Sequence, residues 1–205
     1  MVVIGLCGSS GSGKGYVCER LGSYGIAFID TDKVYREILE SSISCKNELV
    51  GFFGSDILDS EGRVVRSQLA KSVFEGENHE KRLDMLNTIT HKYIKEKTKE
   101  LIEKYKQEGY SGAFIDAPVL FESEFDKLCN VTACVTAPYE IKIKRIMARD
   151  SISYEKAEAR LKSQLPDEKL RQLCDYEIDN SGTLDIDEQI KSILKDAGIE
   201  LKQGN

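Results

Sequence analysis

Short, continuously apolar runs alternate along the chain with longer stretches in which apolar residues recur every three to four positions. The runs Val2–Cys7, Ile26–Ile29, Ala113–Asp116, Val131–Thr136 and Tyr176–Ile178 are too short for helices and too uniformly apolar for strands with one wet face. They predict strands covered by helices on both sides. Between them the spacing predicts helices over Lys14–Tyr24, Lys33–Glu40, Arg66–Phe74, about Glu80–Gln107, Tyr139–Arg149, Tyr154–Ser163 and Asp185–Ala197. In the longest of these, Leu83, Leu86, Ile89, Tyr93, Ile94, Leu101, Ile102 and Tyr105 form one stripe among lysines and glutamates. Strand and helix alternating in this manner predict an α/β fold on a mainly parallel sheet.

Two intervals interrupt the alternation. The stretch from Thr31 to Gly112 is far longer than a strand-to-strand crossover needs, so it predicts an inserted helical subdomain. The stretch Asp150–Arg171 is charged, helix-forming and weakly apolar, which is the profile of a mobile flap rather than of core. The expected division is one domain with a core of about 1–32, 111–149 and 172–205, an insertion of about 33–110 and a lid of about 150–171.

Composition narrows the class. At 205 residues, 40% hydrophobic and 31% charged, the chain is an ordinary globular enzyme by its bulk numbers. A net charge of −6 argues against a nucleic-acid surface, so any polyanion must be held by a local basic cluster. The six cysteines form no Cys-x-x-Cys pair and only two histidines accompany them, which excludes a zinc site of usual spacing. Cys7, Cys18 and Cys134 lie in apolar runs and read as buried free thiols, suiting a reducing compartment. No apolar segment approaches the roughly 20 residues that cross a bilayer. These features set the expectation of a cytoplasmic enzyme without membrane or nucleic-acid partners, and leave the oligomeric state undetermined.

The strongest local signal is Gly8-Ser-Ser-Gly-Ser-Gly-Lys14, which follows the first strand and opens a helix. Gly8, Gly11 and Gly13 let successive N–H groups, with that of Ser12, curl around phosphate oxygens. The helix N-terminus adds partial positive charge, and Lys14 reaches the β- and γ-phosphates as a point charge. This pattern predicts ATP as ligand with Mg²⁺ as its companion. The position after the lysine, where a hydroxyl normally ligates the metal, is Gly15, followed by Tyr16. Magnesium must then be held by phosphates, waters and carboxylates, and Tyr16 is expected beside the nucleotide.

Two strand ends supply carboxylates. Asp30 and Asp32 close the second strand, and Asp32, beyond the strand end, is the better candidate for the base that accepts a proton from an acceptor hydroxyl. Asp30 reads equally well as the cap of the following helix. Asp116 ends the third strand and is placed for the Mg²⁺ shell, with a simple polar strand end as the alternative. Arg145 and Arg149 share one helix face and are able to enter a cleft together, although Lys142, Lys144 and Arg145 also fit a solvated charged helix.

Together with the glycine loop, several further segments resemble the dephospho-CoA kinase family. They are Ile29–Asp32, Asp59–Arg66, Leu86–His91, Asp116-Ala-Pro-Val-Leu-Phe-Glu122, Lys144–Asp150, Arg160–Gln164 and Asp179-Asn-Ser-Gly182, in the family's order and over nearly the whole chain. The resemblance implies ATP-dependent phosphorylation of the ribose 3′-hydroxyl of dephospho-CoA, giving CoA and ADP. It implies a five-stranded, nucleoside-monophosphate-kinase-like P-loop core with an inserted helical acceptor domain and a helical lid. It further implies Asp32 as base, Arg66, His91, Pro118 and Leu120 on the acceptor side, Arg145, Arg149 and Arg160 in the lid region, and Asn180 at the adenine end of the ATP site. His91 taken alone reads as a partly buried structural histidine. Lys92 stands where the family commonly has proline, so local acceptor geometry is expected to differ. The rival readings are another small-metabolite kinase, acting on a nucleoside monophosphate or a sugar acid, and a non-catalytic ATP-binding homologue. A guanine-reading Asn-Lys-x-Asp is absent.

Overall fold

The first strand, β1 (Val2–Cys7), is buried along its length from Val3 to Cys7, as a strand between two helical layers must be. In the computed structural model, which describes residues 1–75 and 78–200, it is the centre of a five-stranded sheet. The other strands are β2 (Ala27–Asp30), β3 (Gly112–Asp116), β4 (Val131–Thr136) and β5 (Tyr176–Asp179), in the order β2-β3-β1-β4-β5. β1 runs parallel to β3 and to β4, and β4 parallel to β5. The register sets Leu6 beside Asp116 and Thr136 beside Asp179. Asp116, Thr136, Asp179 and the loop leaving β1 therefore share one edge of the sheet. Chain order reverses there about the central strand, the place where open α/β sheets bind ligands.

The helices are α1 (Lys14–Ser23), α2 (Thr31–Ser41), α3 (Ile43–Phe53), α4 (Arg66–Phe74), α5 (His79–Gln107), α6 (Tyr139–Asp150), α7 (Tyr154–Lys162), α8 (Asp167–Leu173) and α9 (Ile186–Asp196). The expected strands and helices are present, with ends shifted by a residue or two. Two helices, α3 and α8, were not expected. α3 mixes Ser, Cys, Asn and Gly into a weakly amphipathic stretch, yet Cys45, Leu49 and Phe53 all face inward. Its start depends on Ser42, whose hydroxyl accepts the Cys45 N–H at 3.2 Å. α8 is a short helix that begins just after Pro166 with Asp167 and Glu168 in its first turn.

Contacts divide the chain into two compact units, Met1–Ile29 with the chain from Ile102 onward, and Asp30–Leu101. In the first, α1 and α9 cover one face of the sheet. Val17, Leu21, Ile190 and Leu194 close over Ile4, Leu6, Phe114, Val135 and Ile178 in one core. Burying side chains of this size is worth about 1.5–3 kcal/mol each, which makes this core the main stabiliser of the unit. A smaller cluster of Ile143, Ile146, Ala157 and Leu161 joins α6 to α7. That cluster ties part of 150–171 to α6. Ala157, Leu161 and Leu170 are buried, because a few well-spaced apolar residues suffice to anchor an otherwise charged segment.

In the second unit, α2 begins at a cap that settles one open question. The Asp30 carboxylate accepts the Lys33 N–H at 3.0 Å, so Asp30 serves the helix. A turn at Asp59 follows α3. Its carboxylate accepts the N–H groups of Glu61 and Arg63, each at 2.9 Å, and closes the antiparallel bridge between Leu58 and Val64.

Candidate active site

The loop from Gly8 to Lys14 is shaped by residues that cannot carry a side chain. Gly13 has φ +90°, and a Cβ there would run into the Asn180 amide nitrogen. Gly11 has φ +78°, and its Cβ would stand 2.5 Å from the Lys142 carbonyl oxygen. Inside the loop the Ser12 N–H returns to the Ser9 carbonyl at 3.1 Å. The Ser12 side chain is buried, with no hydrogen-bond partner among the described residues, so this residue shapes the loop.

Carbonyl oxygens on the far side of the loop are held by two clamps. Arg145 donates to the carbonyls of Gly11 at 3.2 Å, Ser12 at 3.1 Å and Asn180 at 3.1 Å. The Asn180 side-chain amide donates to the Ser12 carbonyl at 2.8 Å, and its own N–H goes to Thr136 at 2.9 Å. With its carbonyls tied back in this way, the loop is free to turn N–H groups toward an anion.

The ammonium of Lys14 is ion-paired with Asp116, and the Cys18 thiol donates to the other Asp116 oxygen at 3.5 Å. Lys14 borders a cleft of about 790 Å³, whose lining also includes Gly8, Gly11, Gly13, Gly15, Tyr16, Pro118, Arg145 and Arg149. Nine of the residues expected at the site thus share one cavity. Nothing lies within 4 Å of a Cβ built on Gly15, and Tyr16 is 52% exposed at the rim. Arg149 makes a two-pronged contact with Asp150, both distances being 2.9 Å, and Arg160 pairs with the same carboxylate. Arg149 first, then Arg160, hold the Asp150 carboxyl below its ordinary range.

Three residues have contacts or burial that the sequence reading did not state. Arg145 is fastened to main-chain carbonyls of the loop. Asn180 likewise spends its side chain on Ser12. Leu120 is buried at 1% beneath β1, so the exposed apolar residues of its segment are Pro118 and Val119. In the unit Asp30–Leu101, Asp32 is exposed in the first turn of α2. Arg66 is exposed at the start of α4, with its guanidinium 5.9 Å from the Tyr35 ring centroid. His91 is half-buried on α5. Burial, with a smaller contribution from the Lys95 charge, holds its imidazole below the ordinary 6.5.

Sequence reasoning also missed a buried polar cluster. Lys142, for which the sequence offers a solvated helix face only as an alternative, is 7% exposed. It donates to Asp167 at 2.8 Å and to the Ser9 hydroxyl at 3.2 Å, while Ser9 donates to Asp167 at 3.0 Å. Nearby, the Gln164 side-chain oxygen accepts the Ser10 N–H at 2.8 Å. Lys142 stands in a lysine-rich run and Asp167 in an acidic helix start, so the only sequence signal was the Gln164 that closes a family segment.

A glycine loop between the central strand and its helix, a lysine within it, and a cleft above it define an ATP-dependent phosphotransferase of the P-loop class. Comparison with known proteins specifies it further. The sequence profile of the dephospho-CoA kinase family matches residues 2–185. The dephospho-CoA kinase of Carboxydothermus hydrogenoformans is 37% identical over 194 residues, covering 94% of this chain and 93% of that protein. Among solved structures, TT1252 from Thermus thermophilus superposes with a TM-score of 0.75 at 29% identity, covering 95% of this chain and 97% of that one. Dephospho-CoA kinase from Campylobacter jejuni superposes at 0.69 and 27% identity, covering 96% and 97%. The chain belongs to the dephospho-CoA kinase family.

Proposed function

We propose that this chain transfers the γ-phosphoryl group of ATP to the ribose 3′-hydroxyl of dephospho-CoA, giving CoA and ADP. The observation that carries this reading is the phosphate-loop cleft in a chain whose family match spans residues 2–185. The loop N–H groups and Lys14 bind the polyphosphate. Arg149, on the wall of the same cleft, and Arg160 neutralise charge spreading over the transferred group. Arg145 and Asn180 act through the loop, by keeping its carbonyls turned away from the phosphates. Asp32 orients the acceptor hydroxyl and accepts its proton. Arg66, His91 and Pro118 serve the acceptor, His91 as a neutral imidazole. Helices of 33–110 form the acceptor domain, and 150–171 closes as a lid that excludes water.

The residues present fit Mg²⁺. Asp116 stands beside Lys14 at the loop, and magnesium bound to nucleotide needs only one or two carboxylates besides phosphates and water. Asp116, and Asp32 through water, would hold it, where it would offset phosphate charge. Gly15 offers no side-chain ligand, so the carboxylates would carry more of the metal's coordination. A cytoplasmic location fits the six free thiols, which include Cys7 and Cys174, hydrogen-bonded at 3.6 Å between sulfurs and not disulfide-linked. Among the described residues no helix is long and apolar enough to cross a membrane.

The test is to follow ADP release with Mg·ATP and dephospho-CoA, running AMP and a sugar acid in parallel. Release that depends on dephospho-CoA is expected. Turnover with AMP or the sugar acid alone would discard the acceptor assignment and keep the phosphotransferase.

A further inference from the structure

We infer that Gln164 is a contact for the terminal phosphate of bound ATP, held in place by the buried Lys142–Asp167–Ser9 cluster. The inference rests on the reading of the cleft as an ATP site.

Gln164 lies in the turn between α7 and α8, and its amide oxygen accepts the N–H of Ser10, inside the phosphate loop, at 2.8 Å. A main-chain N–H can only donate, so the atom facing Ser10 is the oxygen, and the amide NH₂ is the other, outward half of the group. Among the described residues that NH₂ has no acceptor. Gln164 also borders the cleft that contains Gly11, Lys14 and Arg149. It is thus an anchored amide with two unused donors at the wall of a polyanion site.

Position along the loop selects which phosphate it meets. On this inference the phosphates nearest the nucleoside take the N–H groups where the loop enters α1, at Gly13 to Gly15, since a helix N-terminus favours anions. Ser10 lies at the other end of the loop, toward β1, and so faces the far end of the polyphosphate. A neutral amide supplies a donor there without adding charge, and hydrogen bonds to charged oxygens are stronger than neutral ones.

The anchor for this amide is built from buried parts. Asp167, three residues on and 7% exposed, is fixed by Lys142 and by the Ser9 hydroxyl, so the 164–167 turn is tied to both α6 and the loop. Lys142 and Asp167 are therefore positioning residues, and Gln164 is the contact.

The test compares binding of ADP with that of a non-hydrolysable β,γ-imido analogue of ATP, by calorimetry on the full chain. Gln164→Glu keeps an acceptor for Ser10 but loses the donor and adds opposing charge. Gln164→Leu loses both functions. Gln164 is exposed, so both variants should fold. The expected result is an affinity for the triphosphate analogue lowered about tenfold or more by Gln164→Glu and severalfold by Gln164→Leu, with ADP affinity changed less than about twofold. Equal losses for both nucleotides, or no loss for either, would overturn the inference while leaving the ATP site intact. Wild-type protein that binds neither nucleotide would remove the ATP reading, and this inference with it.

Discussion

Charged side chains are used differently in the two compact units. Around the phosphate loop they are committed before any ligand arrives. Arg145 holds three carbonyls, Lys142 and Asp167 hold Ser9 and each other, and Lys14 is paired with Asp116. In the unit Asp30–Leu101 the residues proposed for the acceptor lie mostly at the surface. Asp32 and Arg66 are exposed, and His91 is half-buried. Fixed donors in a sheltered site stabilise developing charge best when they need no rearrangement, and every ATP presents the same phosphates. If the second unit binds the acceptor as proposed, its side chains can order on binding, at an entropy cost repaid in contacts.

Substitutions can break this contrast from either side. The largest effect is expected from Lys14→Ala, which should lower kcat/KM about a thousandfold while the urea midpoint stays close to wild type. A comparable fall in the midpoint would mean that the lysine holds the fold instead. Asp32→Asn should cost about a hundredfold or more in kcat and leave ATP affinity unchanged, as calorimetry can check. Near wild-type kcat in that variant would remove Asp32 from the proton transfer.

Asp167→Asn probes the committed side through stability. It leaves the Lys142 ammonium buried beside a neutral amide, and the expected loss is about 3–5 kcal/mol by urea unfolding. Joint replacement of Lys142 and Asp167 by Met and Leu should recover most of it. A loss under about 1 kcal/mol for Asp167→Asn would class the pair with surface ion pairs.

Gly15→Ser should lower the Mg²⁺ concentration needed for half-maximal activity by a few-fold, since a Cβ there has open space around it. An unchanged requirement would place Gly15 away from the metal. The smallest effect concerns His91. Its folded imidazole titrates below the ordinary 6.5, so as pH falls the unfolded chain takes up the proton first. Stability from this group is therefore lost as pH drops below 6.5, and the loss is complete once the folded imidazole is also protonated. His91→Gln should lose less stability than wild type between about pH 7.5 and about pH 5.5.

The sheet and most helices were legible because their signals are local. Val2–Cys7 is apolar throughout, the glycine loop has one sensible context, and the α5 stripe repeats over many turns. α3 was illegible because its inward positions, Cys45, Leu49 and Phe53, are embedded in residues with poor helix preference, and a single serine cap decides its start. The phosphate-loop residues and Asp116 could be named in advance, but not what Arg145 and Asn180 bind. Their partners are main-chain carbonyls, which carry no residue identity to read. Lys142 and Asp167 were hidden for a related reason: a lysine among lysines gives no hint that it is the buried one until α6 is packed on the loop.

The most direct test of the account is the chemical identity of the product. The purified chain, Mg·ATP and dephospho-CoA should yield, by ³¹P NMR and mass spectrometry, one added phosphomonoester on the ribose 3′ position together with stoichiometric ADP. ADP without a new monoester, or a monoester at any other position, would contradict the central claim that this cleft passes the γ-phosphoryl group to that hydroxyl.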